Sequence, residues 1–326
     1  MKKVVIFSFL FIFCFNVFSQ TDIKQQIKLA EELYSSERYD EALQLLDSVI
    51  LRDPDNMYAL MCRSCVHDAR NDFEKALVDI NKVIEYDPGM LKARHIRGGI
   101  FCNIGNYEKA IEEENFVLEK VPSFESGLNV RGLAYGRSGM YDEAVKDFTA
   151  AISVANNENS SPEIYLLNRA YVYYFKKQYD KCMNDVEMSL LFNQTNPEAL
   201  VLKSKLFRIQ NNYKESIKWV TKAISYAPDY LELYYLRILN YLQVNDLTNA
   251  KNDLDYIEPK MRQYSAFHSL KALYYYHLKD QKSFADETAV SKELKASETD
   301  SFYIQIETDE IKNEMIKADI EVVDFK

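Results

Sequence analysis

Pro88-Gly-Met-Leu-Lys-Ala93 … Gly105-Asn-Tyr107-Glu-Lys-Ala110 … Pro122 is the stretch whose reading decides the fold. Laid over 54–88 or over 122–156, it meets a copy of itself: Tyr107 answers to Phe73 and Tyr141, Ala110 to Ala76 and Ala144, and Pro88 to Pro54 and Pro122. A fixed period of this length marks an array of short structural units stacked on their neighbours. The seven prolines, at 54, 88, 122, 162, 197, 228 and 259, fall at spacings of 34, 34, 40, 35, 31 and 31. A proline inside a helix costs about 3 kcal/mol, so each is expected at a junction and none within a helix. Asn71, Gly105, Gly139, Asn211 and Asn245 share one repeat position between the junctions. Gly and Asn tolerate the left-handed conformation that closes a helix, so each unit is predicted to be two antiparallel helices with a tight turn.

An aromatic residue follows each turn, and a small residue comes three positions later: Tyr39 and Ala42, Phe73 and Ala76, Tyr107 and Ala110, Tyr141 and Ala144, Tyr179 and Cys182, Tyr213 and Ser216. The ring fills the space between the helices and the small side chain lets their backbones approach. Position 8 of the unit is also small, as Ala30, Ser64, Gly98, Gly132, Ala170 and Ser204. These residues resemble the tetratricopeptide repeat family over about 23–258, although the family's Trp at position 4 is missing and Trp219 falls in a second helix. The resemblance implies an all-α, right-handed α-solenoid of seven to eight helix pairs. The expected organisation is units one to four over 20–155, a polar loop over 156–162, units five to eight over 163–296, and a tail or capping helix over 297–326.

Residues 1–19 read as a cleavable export signal: Lys2 and Lys3, an apolar run from Val4 to Phe18, and a cut after Ser19. The run is short for a membrane span, and bulky Phe13 before Cys14 speaks against lipidation. Cleavage removes two lysines and no acids, so the chain's net charge of −10 becomes −10 − 2 = −12. That balance, without any basic block, excludes nucleic-acid backbone as a partner. A periplasmic or secreted location is expected, with membrane association only through a partner.

No catalytic set emerges, and neither an enzyme activity, a cofactor nor a small-molecule substrate is expected. His67, His95, His268 and His277 form no His-Glu-x-x-His pattern, and there is no nucleophile elbow or phosphate loop. Cys62-Arg-Ser-Cys65-Val-His67 is mid-helix and lacks both haem-attachment spacing and further metal ligands. His67 is expected in the core, Cys182 as a small packed residue, and Cys102 near an accessible helix end. The four cysteines beyond the leader allow two disulfides in an oxidising compartment, with no pairing assigned. Glu112-Glu113-Glu114 reads as a solvated face, and packing accounts for Gly98-Gly99.

The resemblance implies a groove lined by first-helix positions 2, 5, 9, 12 and 13. In the early units these are Tyr58, Asp68, Lys92, His95, Asn103, Asn129 and Arg137. In the later ones they are Leu167, Tyr171, Tyr174, Phe175, Lys205, Arg208, Tyr235 and Gln243. The candidate partner-binding set is Arg137, Leu167, Tyr171, Tyr174, Lys205, Arg208, Tyr235 and Gln243, rich in the residue types that anchor interfaces. The carboxylate clamp of chaperone-binding members is absent: Met61, Cys65, Ile96, Ser126 and Val130 stand where it needs Lys, Asn, Asn, Lys and Arg. The expected function is a scaffold that holds a protein or peptide in this groove. The alternative is an assembly factor of an outer-membrane or secretion complex that uses its edges or convex face.

Overall fold

The computed structural model describes residues 22–157 and 161–295, and every described element is a helix. The leader, residues 158–160 of the expected polar loop and the tail from 296 lie outside the described residues, as does the expected capping helix over 309–319. The helices pair as α1 (22–35) with α2 (Tyr39–Arg52), α3 (Met57–Ala69) with α4 (Phe73–Tyr86), and α5 (Leu91–Ile104) with α6 (Tyr107–Lys120). Next come α7 (Glu125–Arg137) with α8 (Tyr141–Asn157), and α9 (Glu163–Phe175) with α10 (Tyr179–Phe192). The series ends with α11 (Pro197–Ile209) and α12 (Tyr213–Tyr226), α13 (Leu231–Gln243) and α14 (Leu247–Met261), and α15 (Ser265–His277) and α16 (Gln281–Lys295). The chain is an all-α solenoid of repeated helix pairs. It divides into two compact units within α9, after Val172.

The turns explain the period. In every pair the linking residue has φ between 55° and 89°: Glu37, Asn71, Gly105, Gly139, Lys177, Asn211, Asn245 and Lys279. The amide after each reaches back to the carbonyl five positions earlier, from Arg38 to Leu33 through Asp280 to Tyr275, at 2.8–3.0 Å. This left-handed closure satisfies the carbonyls that a helix end leaves open. Gly and Asn made five of the eight turns legible; Glu37, Lys177 and Lys279 adopt the same conformation at a steric cost. The first six second helices begin on their aromatic residue, while α14 and α16 begin on Leu247 and Gln281. Ala42, Ala76, Ala110, Ala144, Cys182, Ser216 and Ala250 are all fully buried against the facing helix. Ser64 and Ser204 at position 8 donate to the carbonyls of Ala76 and Ser216, each at 2.8 Å, so even the polar small residues are satisfied.

A second ladder, unread in the sequence, clips neighbouring pairs together. Arg63 in α3 donates from Nε and Nη2 to Asp79 of its own pair at 2.7 and 2.8 Å, and from Nη1 to Asp47 of the preceding pair at 2.6 Å. Arg131 does the same with Asp147 (2.8 Å twice) and Asn115 (2.7 Å), and Arg237 with Asp253 (2.8 and 2.7 Å) and Thr221 (3.2 Å). In α11 both partners change type: Lys203 donates to Glu187 at 2.8 Å and lies 4.4 Å from the ring centre of Trp219, which stands in the acid's place.

Four sequence expectations need correction. Glu113 and Glu114 are buried rather than solvated, because α5 and α7 offer Arg94, Arg97 and His95 as partners and glycines as room. Pro259 lies inside the last turn of α14, where only one carbonyl loses its partner. α8 runs on to Asn157, into the stretch expected to be a loop. Cys102 is buried by the neighbouring pair, with Ala110 and Ala134 packed on it.

Candidate partner-binding face

Within each unit, successive first helices lie against one another, α3 on α5, α5 on α7, and α13 on α15, so one face of each unit is built from first helices alone. In the first unit the polar positions of this face are bridged from helix to helix. Glu31 accepts from the Tyr58 hydroxyl, and Lys92 Nζ stands 4.9 Å from the centre of the Tyr58 ring. Asn103 donates to both Asp68 oxygens at 3.1 and 3.2 Å, and Asn168 donates to Asn129 at 2.8 Å. Arg137, exposed at the end of α7, reaches the Cys102 carbonyl at 3.5 Å. The Glu31 hydrogen bond pushes Tyr58 up to about 12, and burial raises the carboxyl of Asp68. This face is largely satisfied by its own chain.

Cys62 and Cys65 border it as free thiols. Burial pushes them up to about 12 and about 11, with the Glu31 carboxylate near Cys62 and Asp68 near Cys65 acting in the same direction. A thiol held this far above neutrality is a poor nucleophile and a poor metal ligand. Cys102 and Cys182 are also free. His67 is a core side chain, and burial lowers its basicity.

The second unit carries a different surface. The Tyr174 ring meets Phe175 and Tyr179 edge-on, each at 6.0 Å, and Phe175 is 55% exposed. Lys205 and Arg208 stand half-buried on α11, and Gln243 half-buried at the end of α13. Arg208 donates to Asn240 at 2.9 Å; buried Asn240 donates to Ser216 at 2.8 Å, which bonds Ser204 at 2.9 Å. The guanidinium is therefore held by a chain of buried polar groups rather than free to sample the surface.

Of the eight candidate residues, Arg137, Leu167 and Tyr171 belong to the first unit and the other five to the second. Leu167 is 4% exposed and Tyr235 1%, so neither offers a surface to a partner. Tyr235 instead centres the core formed by Leu200, Leu239, Phe267 and Leu270, where α11, α13 and α15 converge. Tyr171 and Tyr174 are half-buried. Sequence reasoning missed exposed Ile209, which repeats the position of Phe175 one helix pair on; Gln243 and His277 hold that position in the next two pairs, and exposed Val244 and Leu278 stand one residue later.

Tetratricopeptide repeat models match residues 27–84, 126–158 and 197–230. Among solved structures the chain is similar to one from the APC/C hetero-tetramer Cut9–Hcn1, with TM-score 0.63 and 12% identity over 88% of this chain and 55% of that one. It is also similar to a tetratricopeptide repeat protein from Parabacteroides merdae ATCC 43184 (TM-score 0.57, 16% identity, 83% and 99% covered). A third is PilF of Pseudomonas aeruginosa (TM-score 0.54, 15% identity, 66% and 96% covered). The chain spans about half the length of the first of these. No curated protein sequence matches it. At these identities the likeness carries the fold alone.

Proposed function

We propose that the chain, which carries tetratricopeptide repeats over residues 27–84, 126–158 and 197–230, is a non-enzymatic adaptor of the cell envelope that holds a protein or peptide on the first-helix face of its second unit. The observation that carries this reading is Phe175, a large exposed ring braced edge-on by Tyr174. Aromatic and arginine side chains of this kind concentrate binding energy at interfaces, and a braced ring loses little further freedom on binding. The envelope location rests on the leader-like residues 1–19.

The test is partner capture from cross-linked envelope fractions by the whole chain and by a Tyr174→Ser, Phe175→Ser, Lys205→Glu variant. A loss of tenfold or more, with helix content unchanged, supports the adaptor. Arg208 is left intact because removing it strands buried Asn240 and confounds binding with stability.

A specific observation favours the assembly-factor reading as runner-up. Met188, Leu191 and Phe192 form an exposed apolar face at the end of the second helix α10, with Leu191 71% exposed. Equal capture by the triple variant and loss on Leu191→Ser, Phe192→Ser would move the contact to that outer face.

A further inference from the structure

Trp219 breaks the ladder of cations and acids that joins first helices to second. Where Arg63, Arg131 and Arg237 meet a buried aspartate of their own pair, Lys203 meets an indole ring. Further cations gather on that ring. The ammonium groups of Lys203, Lys218 and Lys222 stand 4.4, 5.5 and 5.5 Å from its centre. The indole nitrogen is buried without an acceptor among the described residues, so the ring is held by packing and by the cations.

Lys214, Lys218 and Lys222 follow one another at four-residue spacing, which places them in a line on one face of α12, and exposed Tyr226 ends the line. Two carboxylates answer these four cations: Glu187 accepts from Lys203 at 2.8 Å and Glu215 from Lys218 at 3.0 Å. No carboxylate of the described residues pairs with Lys214 or Lys222. Like charges four residues apart repel, so the line works against its own helix. It is also a positive stripe on a chain whose net charge is −10.

We propose that this stripe is a second docking site, which takes an extended acidic segment of a protein partner. Successive lysines rise about 6 Å along the helix. Side chains on one side of an extended chain repeat at about 6.6–6.8 Å. Acids at every second residue therefore meet Lys214, Lys218 and Lys222 in turn, and an apolar residue at the end of the segment lies on Tyr226. Charge complementarity of this kind selects the partner and fixes its register. A single phosphate would meet the ammonium groups around the ring and leave Lys214 unused. Glu187 and Glu215 reach the same surface. A peptide can set its acids between them, whereas a uniformly anionic bilayer cannot.

Trp219 is the chain's only tryptophan, so its emission reads the site without a label. The full chain is titrated with a synthetic peptide of alternating Glu and Ser ending in Leu, with inorganic phosphate, and with phosphatidylglycerol vesicles. The expected result is a saturating shift in emission with the peptide, at a midpoint at least tenfold below those of phosphate and lipid. Lys214→Gln, Lys218→Gln, Lys222→Gln weakens the peptide at least fivefold, while arginine at the same three positions retains it. Silence toward the peptide overturns the proposal. So does a response to phosphate or vesicles within tenfold of the peptide's, or a glutamine variant weakened less than fivefold. The site stands apart from the Phe175 face: a Phe175→Ser chain titrates as the parent does, so failure here leaves the adaptor reading intact, and failed capture at Phe175 leaves this one.

Discussion

Replacing Arg131 with Met removes the clip between α6, α7 and α8 at the centre of the first unit. The lost contacts are a two-pronged pair with Asp147 at 2.8 Å and a bond to Asn115 at 2.7 Å. Asp147 is buried and the Arg131 side chain only one-fifth exposed, so screening by water is weak. The hydrogen bond to Asp147 is the leading cause that holds the guanidinium above its usual range. Stranding a buried carboxylate costs about 3–5 kcal/mol, and the partial exposure of Arg131 places this case near 3 kcal/mol. Asp147→Leu leaves Arg131 bonded to Asn115 and reaching water, at about 2 kcal/mol. Removing both leaves no buried charge, so the double variant loses about 2 kcal/mol rather than the sum of 5, a coupling of about 3 kcal/mol. In urea denaturation followed by circular dichroism, the midpoint shift at unchanged slope reads these values. Arg131→Met alone lowers the melting temperature by about 6–12 °C. Strictly additive losses, or an Arg131→Met variant within about 0.5 kcal/mol of the parent, would refute the ladder as an energetic device.

Three further outcomes follow from the same structure. Lys177→Gly, at φ 55°, relieves left-handed strain and stabilises the chain by about 1 kcal/mol, whereas Gly139→Ala, at φ 81°, destabilises it by a similar amount; opposite or null shifts in melting temperature contradict the turn account. Burial raises the Glu114 carboxyl above its ordinary value of 4.5, so the stability tied to its protonated form is full below that pH and lost as pH rises through the raised value. Glu114→Gln should therefore gain on the parent between pH 4.5 and neutrality, and a pH-independent difference would show that burial does not govern this carboxyl. Cys62 and Cys65, at about 12 and about 11, should alkylate at pH 8 at least tenfold more slowly than an unhindered thiol; equal rates would mean the thiols are not held protonated.

What was legible was what repeats through backbone geometry. A left-handed turn selects Gly or Asn, a helix junction tolerates Pro, and a close helix crossing demands Ala or Ser; each constraint is local, so it shows in residue type. Burial of charge did not show, because it depends on what another helix supplies. Glu114 is buried only since His95 bonds it at 2.8 Å and Gly98 leaves space; a β-carbon there would stand 2.6 Å from its oxygen. The arginine ladder was available in principle, as Arg63, Arg97 and Arg131 recur once per repeat opposite Asp79, Glu113 and Asp147. Charges at repeat spacing read as a solvated face until the second helix is placed against the first. At the candidate face, repeat position predicted which side chains point inward but not how deeply. Tyr235 shares a face with Gln243, yet the aromatic convergence of α11, α13 and α15 closes over it and leaves Gln243 at the rim.

The central claim is that the first-helix face of the second unit holds the partner. A photo-activatable phenylalanine analogue placed singly at position 175, and in a second variant at position 191, reports contact at each face within living cells. The account predicts a cross-linked partner at position 175 and at least tenfold less at position 191. Capture at 191 with none at 175 would contradict it and assign the interaction to the outer face of α10.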